Sequence, residues 1–244
     1  MSESTDASRM GMNRTGLQMS PAMSREMTEM VDDSLGDIRG IEIAETRREY
    51  ILEADELGSV PPPATVKGVL KTGATMLTGV HLHVLVDKLA ERLAFERGGV
   101  RLYDAVIAKV KVYGDEAGSA TLLELERIRD EELEHAMLVE EALKTLGADP
   151  TAQTPCADLV GVESAGLLQA ASDPRTNLAQ TLHTALAAEL IDGAGWQLLI
   201  ELAQEAGQSD LVDQFSGALA QETEHLQLIE SWYRALTIPT QADA

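Results

Sequence analysis

The sequence predicts an all-α protein: a four-helix bundle with a long crossover between its second and third helices, preceded by a mostly non-globular N-terminal extension. Three observations carry this expectation. Only 3% of the residues are aromatic while Ala, Leu, Glu and Gln abound, which favours helices over packed sheets. Four long segments after residue 80 repeat apolar side chains at steps of three, four and seven, the spacing of one helical face. Short turns join the first segment to the second and the third to the fourth, while residues 148–172 separate the pairs.

Residues 1–40 hold seven of the nine methionines among Ser, Thr, Gly and Asp without sustained periodicity, and read as a disordered tail. Residues 41–80 form a lead-in. Its start, 41–57, reads as a short amphipathic helix ended by Gly58, and Pro61-Pro62-Pro63 is a break that no helix crosses. The stretch 64–80 fits either a short helix or an irregular lead-in.

The bundle is expected over 81–238. Its first segment runs from His81 to Tyr113 with Leu82, Leu85, Leu89, Leu93, Val100, Tyr103, Ile107 and Val110 on one face. The second, 120–146, has Ser119 as its N-cap and carries Leu125, Ile128, Leu138 or Val139, and Leu143 before Gly147. The connection 148–172 contains Pro150 and Pro155 and a short helix near 157–171. Asp173-Pro174, a capping carboxylate followed by proline, starts the third segment, 174–206. Gly207-Gln208-Ser209 turns the chain into the fourth, 210–236.

Charge and cysteine content narrow the function. With 41 acidic and 19 basic residues the formal net charge is -22, which repels phosphate backbones and anionic membranes. The most apolar early stretch, 64–86, is interrupted by Lys67, Lys71, His81 and His83 and falls short of a membrane span. Cys156 is alone, so there is no internal disulfide and no CxxC. The polar N-terminus has no apolar signal region, and a cytoplasmic setting is expected.

The four segments place acids where the apolar stripe predicts core. The second carries Glu132 and His135, the fourth Glu222 and His225, each pair three residues apart on one face. Glu96 lies on the first stripe between Leu89 and Tyr103, and Glu189 on the third between Leu182 and Trp196. The halves echo each other, because Glu96 precedes Tyr103 by seven residues and Glu189 precedes Trp196 by seven. Four ionised carboxylates in an apolar core carry a desolvation cost on the order of several kcal/mol each. Two divalent cations would neutralise them, and a carboxylate-plus-imidazole set suits iron or manganese. The bland alternative, glutamates on a solvated face, requires four independent phase errors.

At these residues the chain resembles the ferritin-like di-iron carboxylate superfamily over about residues 81–236. Glu-x-x-His on both hairpins looks more like rubrerythrin and bacterioferritin than animal-type ferritin. The chain departs from them in having no rubredoxin CxxC module and in its long N-terminal extension. The resemblance implies metal ligands at Glu96, Glu132, His135, Glu189, Glu222 and His225, holding two Fe ions, with Mn as the alternative. Glu132 and Glu222 would bridge, and Glu96 and Glu189 would be terminal. It implies Fe(II) and O2 or peroxide as partners, ferroxidase or peroxidase chemistry, and a homo-oligomer. Two other readings share the bundle: an oxygenase acting on an organic substrate, and a non-catalytic metal-binding or interaction protein.

Neighbouring residues carry weaker expectations. Gly98, Gly99, Gly193 and Gly195 lie inside helices, where each costs roughly 1 kcal/mol against Ala. They make room either for oxidant and metal or for close helix contact. Asp192 either hydrogen-bonds a ligand histidine or sits at a polar rim. Glu134 and Glu224 are expected on the surface and Tyr103 and Trp196 as core, while Arg92, one turn before Glu96, either neutralises core charge or, the preferred reading, snorkels outward. His81, His83 and His183 read as surface or helix-end residues.

Overall fold

A computed structural model describes residues 40–63, 82–114 and 120–238, together with Arg25, Glu26 and Glu29. The chain divides into two compact units, 1–57 and 58–244. The first contains helix α1, Gly40–Glu53, whose Tyr50, Ile51 and Leu52 are exposed. The rest of the expected tail 1–40, the ambiguous stretch 64–80, His81 and the expected Ser119 cap lie outside the described residues. Among the described residues no helix is long and apolar enough to cross a membrane.

The second unit is an all-α bundle of α2 (Leu82–Tyr113), α3 (Leu122–Leu146), α4 (Pro155–Ser172), α5 (Leu178–Glu205) and α6 (Ser209–Thr237). Helices α2 and α3 form one hairpin and α5 and α6 another, with α2 packed broadly on α5 and α3 meeting α6 more sparingly. The crossover between the hairpins holds α4, which lies across α2 and α5.

Local chemistry sets the helix ends. Thr121 caps α3 by accepting the Glu124 amide at 3.2 Å, and Gly147, at φ 86°, closes it. Thr154 caps α4 ahead of Pro155 in the first turn. Helix α5 begins four residues later than Asp173-Pro174 suggested. Asn177 and Gln180 form a reciprocal capping box there, satisfying two amide donors, while the Asp173 carboxylate binds the Arg175 amide and guanidinium. The capping box wins because a lone Asp offers no such reciprocity.

The expected stripes are buried, apart from a half-buried Val100, and of Leu138 and Val139 it is Val139 that is buried. They form two apolar layers. One joins Leu85, Leu89, Val139, Leu143, Trp196, Leu199 and Phe215; the other joins Val106, Ile107, Leu125, Ile128, Leu182 and Ile229. A third, smaller cluster of Phe95, Leu102, Val160, Ala171 and Ala188 seats the crossover helix. Truncating a fully buried member such as Leu182 to Ala should cost about 2–5 kcal/mol. The two main layers leave a polar level between them, midway along the bundle.

Candidate metal centre

At that level the helices turn six ionisable side chains inward. Glu96 comes from α2, Glu132 and His135 from α3, Glu189 from α5, and Glu222 and His225 from α6. None is more than 2% exposed. In α3 and α6 the three-residue step stacks each Glu and His on the core-facing side. One atom each of Glu132, Glu189, Glu222 and His225 lie within 4.8 Å of one another, and so do atoms of Glu96, His135 and Glu222. Two donor groups therefore adjoin, with Glu222 common to both.

Several donors have no partner in the cluster, although His225 Nδ1 and Glu222 Oε2 are within hydrogen-bond reach of each other. Glu96 Oε2, Glu132 Oε2, Glu189 Oε2, Glu222 Oε1 and His135 Nδ1 are buried without a hydrogen-bond partner. Buried polar atoms are nearly always bonded, so five orphans in one cluster need an explanation. His135 Nδ1 and Glu222 Oε1 are only 2.6 Å apart. Both residues belong, with Glu96, to one of the two donor groups. His225 Nδ1 lies 3.3 Å from Glu222 Oε2, 3.8 Å from Glu132 Oε1 and 3.9 Å from Glu189 Oε2.

Each imidazole is oriented from outside. His225 Nε2 meets Glu131 Oε2 at 2.7 Å, and His135 Nε2 meets Gln221 Oε1 at 3.0 Å. A carboxylate only accepts, so Glu131 draws the proton onto Nε2 and leaves Nδ1 free to face the cluster. Glu131 and Gln221 are functional positions that sequence reasoning missed. The available signal was positional, since each immediately precedes the glutamate of a Glu-x-x-His.

Electrostatics follow from burial and crowding. Burial first, then neighbouring carboxylates, push Glu96, Glu132 and Glu189 well above the usual carboxylate range. Against the same burial, the two imidazoles hold Glu222 down at about 2. Burial works against the His135 cation, but the Glu222 and Glu96 carboxylates raise it to about 9. The cluster calls for positive charge, as protons or as metal ions. Hard oxygen donors flanked by two imidazoles fit ferrous or manganous ions.

Two expectations need correction and two gain detail. Arg92 does not snorkel; it is 3% exposed and its Nη1 donates to Asp192 Oδ1 at 2.6 Å. Asp192 is accordingly neither on a rim nor bonded to a histidine; it is buried against Arg92. Tyr103 is in the core but is more than filler, because its hydroxyl donates to Glu189 Oε1. The room at Gly99 and Gly195 is taken by side chains. A Cβ at 99 would collide with the Glu132 carboxylate, and one at 195 with the Arg92 guanidinium. Gly193 meets nothing within 4 Å and Gly98 only Ser164, at ordinary contact distance.

The remaining residues lie as expected. Trp196 is fully buried, edge-on to the His135 ring at 5.5 Å between centroids. Glu134 and Glu224 are exposed, Glu224 pairing with Arg127 at 2.7 Å. His83 and His183 are exposed, His183 against the Tyr233 ring.

Comparison with known proteins agrees with this architecture. A family model described as the ferritin-like domain matches residues 87–237. No curated protein and no solved structure matches the chain.

Proposed function

The chain belongs to the ferritin-like domain family, and on that premise we propose that it is a di-metal redox protein that takes up Fe(II) and reacts with O2 or peroxide. The reading rests on one observation above the others: five partnerless donor atoms of a buried Glu/His cluster converge while both imidazoles are turned inward by outer partners.

The residues that would hold two ions are Glu132 and Glu222, shared between them, His135 and His225, one for each, and Glu96 and Glu189 at the two ends. Manganese is the alternative to iron. Two such ions, when bound, supply the electrons for ferroxidase or peroxidase chemistry. The protein's own residues do the rest. Glu131 and Gln221 hold the imidazoles in the donating tautomer. Tyr103 donates to Glu189 Oε1 and restrains that carboxylate without occupying its second oxygen. The apolar layers above and below keep bulk water away from the charged level. The space beside Gly99 and Gly195 is filled by Glu132 and Arg92, which favours a small oxidant over an organic substrate at those two positions. A homo-oligomer in the cytoplasm completes the proposal.

The deciding experiment is anaerobic titration with Fe(II) followed by air. We expect uptake of two ions per chain and a ferric absorbance in the near ultraviolet that grows with oxygen. Absence of uptake by the wild-type protein would sink the reading.

A further inference from the structure

Arg92 and Asp192 stand outside the six-residue set, yet both are buried in the same polar level, at 3% and 2% exposure. One oxygen each of Glu96, Glu132, Asp192 and Glu222 lie within 4.8 Å of one another. This third donor group differs from the other two in containing no imidazole. Four carboxylates with no nitrogen donor suit a hard cation.

A side-chain cation already reaches this group. Arg92 Nη1 lies 2.6 Å from Asp192 Oδ1 and 3.4 Å from Glu96 Oε1. The guanidinium is steadied by aromatic rings, 4.8 Å from the Phe95 centroid and 5.9 Å from that of Trp196. Gly195 leaves the space it needs, since any Cβ there would overlap Nη2. An arginine does not give up its proton in a protein, so this positive charge is permanent. The charges are then complementary. Five carboxylates and one guanidinium leave four net negative charges, the match for two divalent ions.

We infer that Arg92 is a built-in third cation: it occupies an all-carboxylate subsite completed by Asp192, and thereby limits the centre to two metal ions. The inference rests on the di-metal reading above. Asp192 is a latent metal donor, engaged by the guanidinium and available to a metal only when that group is gone.

The test counts bound Mn2+ through loss of the aqueous Mn2+ signal in electron paramagnetic resonance. Two ions per chain are expected for the wild type and for Arg92→Lys, which keeps a cation in place. Three are expected for Arg92→Gln, and two again for Arg92→Gln combined with Asp192→Asn, which removes the subsite's own donor. A folded Arg92→Gln protein that still binds two ions overturns the inference and leaves the di-metal reading standing. A wild-type protein that binds none overturns both. Should Arg92→Gln fail to fold, Gly195→Ala crowds the guanidinium out at unchanged charge and is scored on the same scale. A third ion there supports the subsite, and a count of two overturns it. A merely structural ion pair would alter stability but not stoichiometry.

Discussion

The hairpin α2–α3 and the hairpin α5–α6 carry the same donor pattern in different surroundings. In corresponding places stand Glu96 and Glu189, Tyr103 and Trp196, Glu132 and Glu222, and His135 and His225. The outer partners correspond too, because each histidine is held by the residue that precedes the other hairpin's glutamate. The match ends at charge. Glu131 is anionic, partly exposed and bound by Arg127, whereas Gln221 is a neutral amide. Four residues before the first glutamate is Arg92, while the equivalent in the other hairpin is Ala185. Three residues after it is Gly99, against Asp192. The shared positions build a donor set, and the unshared ones make its two halves electrostatically unequal.

The largest expected effect breaks the equivalence of the two carboxylates proposed to bridge. Glu222 belongs to all three donor groups and Glu132 to two. Glu222→Ala should weaken uptake of both ions by more than the roughly 100-fold that loss of an outer partner can cause, while Glu132→Ala should retain one ion. Metal analysis after dialysis distinguishes them, and equal losses would restore the symmetry.

Next in size is the contrast between the imidazole partners. Glu131→Gln, which makes the first hairpin resemble the second, should weaken metal binding about 10-fold in competition with a chelator. Gln221→Glu should strengthen it, and no change in either variant would mean the charge difference is immaterial.

Effects of a different kind separate the hairpins in stability. Tyr103→Phe removes a buried hydrogen bond to Glu189 and should cost about 1.5–3 kcal/mol in urea denaturation. Lys109 of α2 donates to the carbonyls of Asp173 and Thr176, both at 2.6 Å, and so ties the end of the crossover to the first hairpin. Lys109→Met should cost about 1–2 kcal/mol, and a melting curve identical to the wild type would refute that tie.

A further effect, on a rate rather than on binding or stability, concerns the other end of the crossover. Burial, with Asp87 beside it, pushes the Cys156 thiol up to about 11. Because the thiolate is the nucleophile, raising the pKa leaves less of it at pH 8. Alkylation by iodoacetamide should be on the order of 100-fold slower than for a free thiol, and should accelerate as pH rises toward 11. A free-thiol rate at pH 8 would contradict the described surroundings.

The bundle and the six inward side chains could be read from periodicity and from the three-residue step of Glu-x-x-His, because both are properties of a single helix. What escaped depends on two helices at once. Whether Arg92 turns in or out is decided by Gly195 on α5, and nothing within α2 shows it. Glu131 and Gln221 sit 100° from their neighbouring ligands, and only the sparing contact of α3 with α6 brings them onto the imidazoles. Asp173-Pro174 looked like a helix start because a cap was judged by residue type alone. The competing Asn177–Gln180 box needed both of its reciprocal bonds to be seen.

Gly99 touches no ion in any reading of this centre, yet its hydrogen atom is all that the Glu132 carboxylate leaves room for. In a library selected for iron content, position 99 would tolerate substitution as poorly as a ligand does. The smallest residue in the chain would then leave the signature of a chemically active one, and a map of mutational tolerance alone would misassign it.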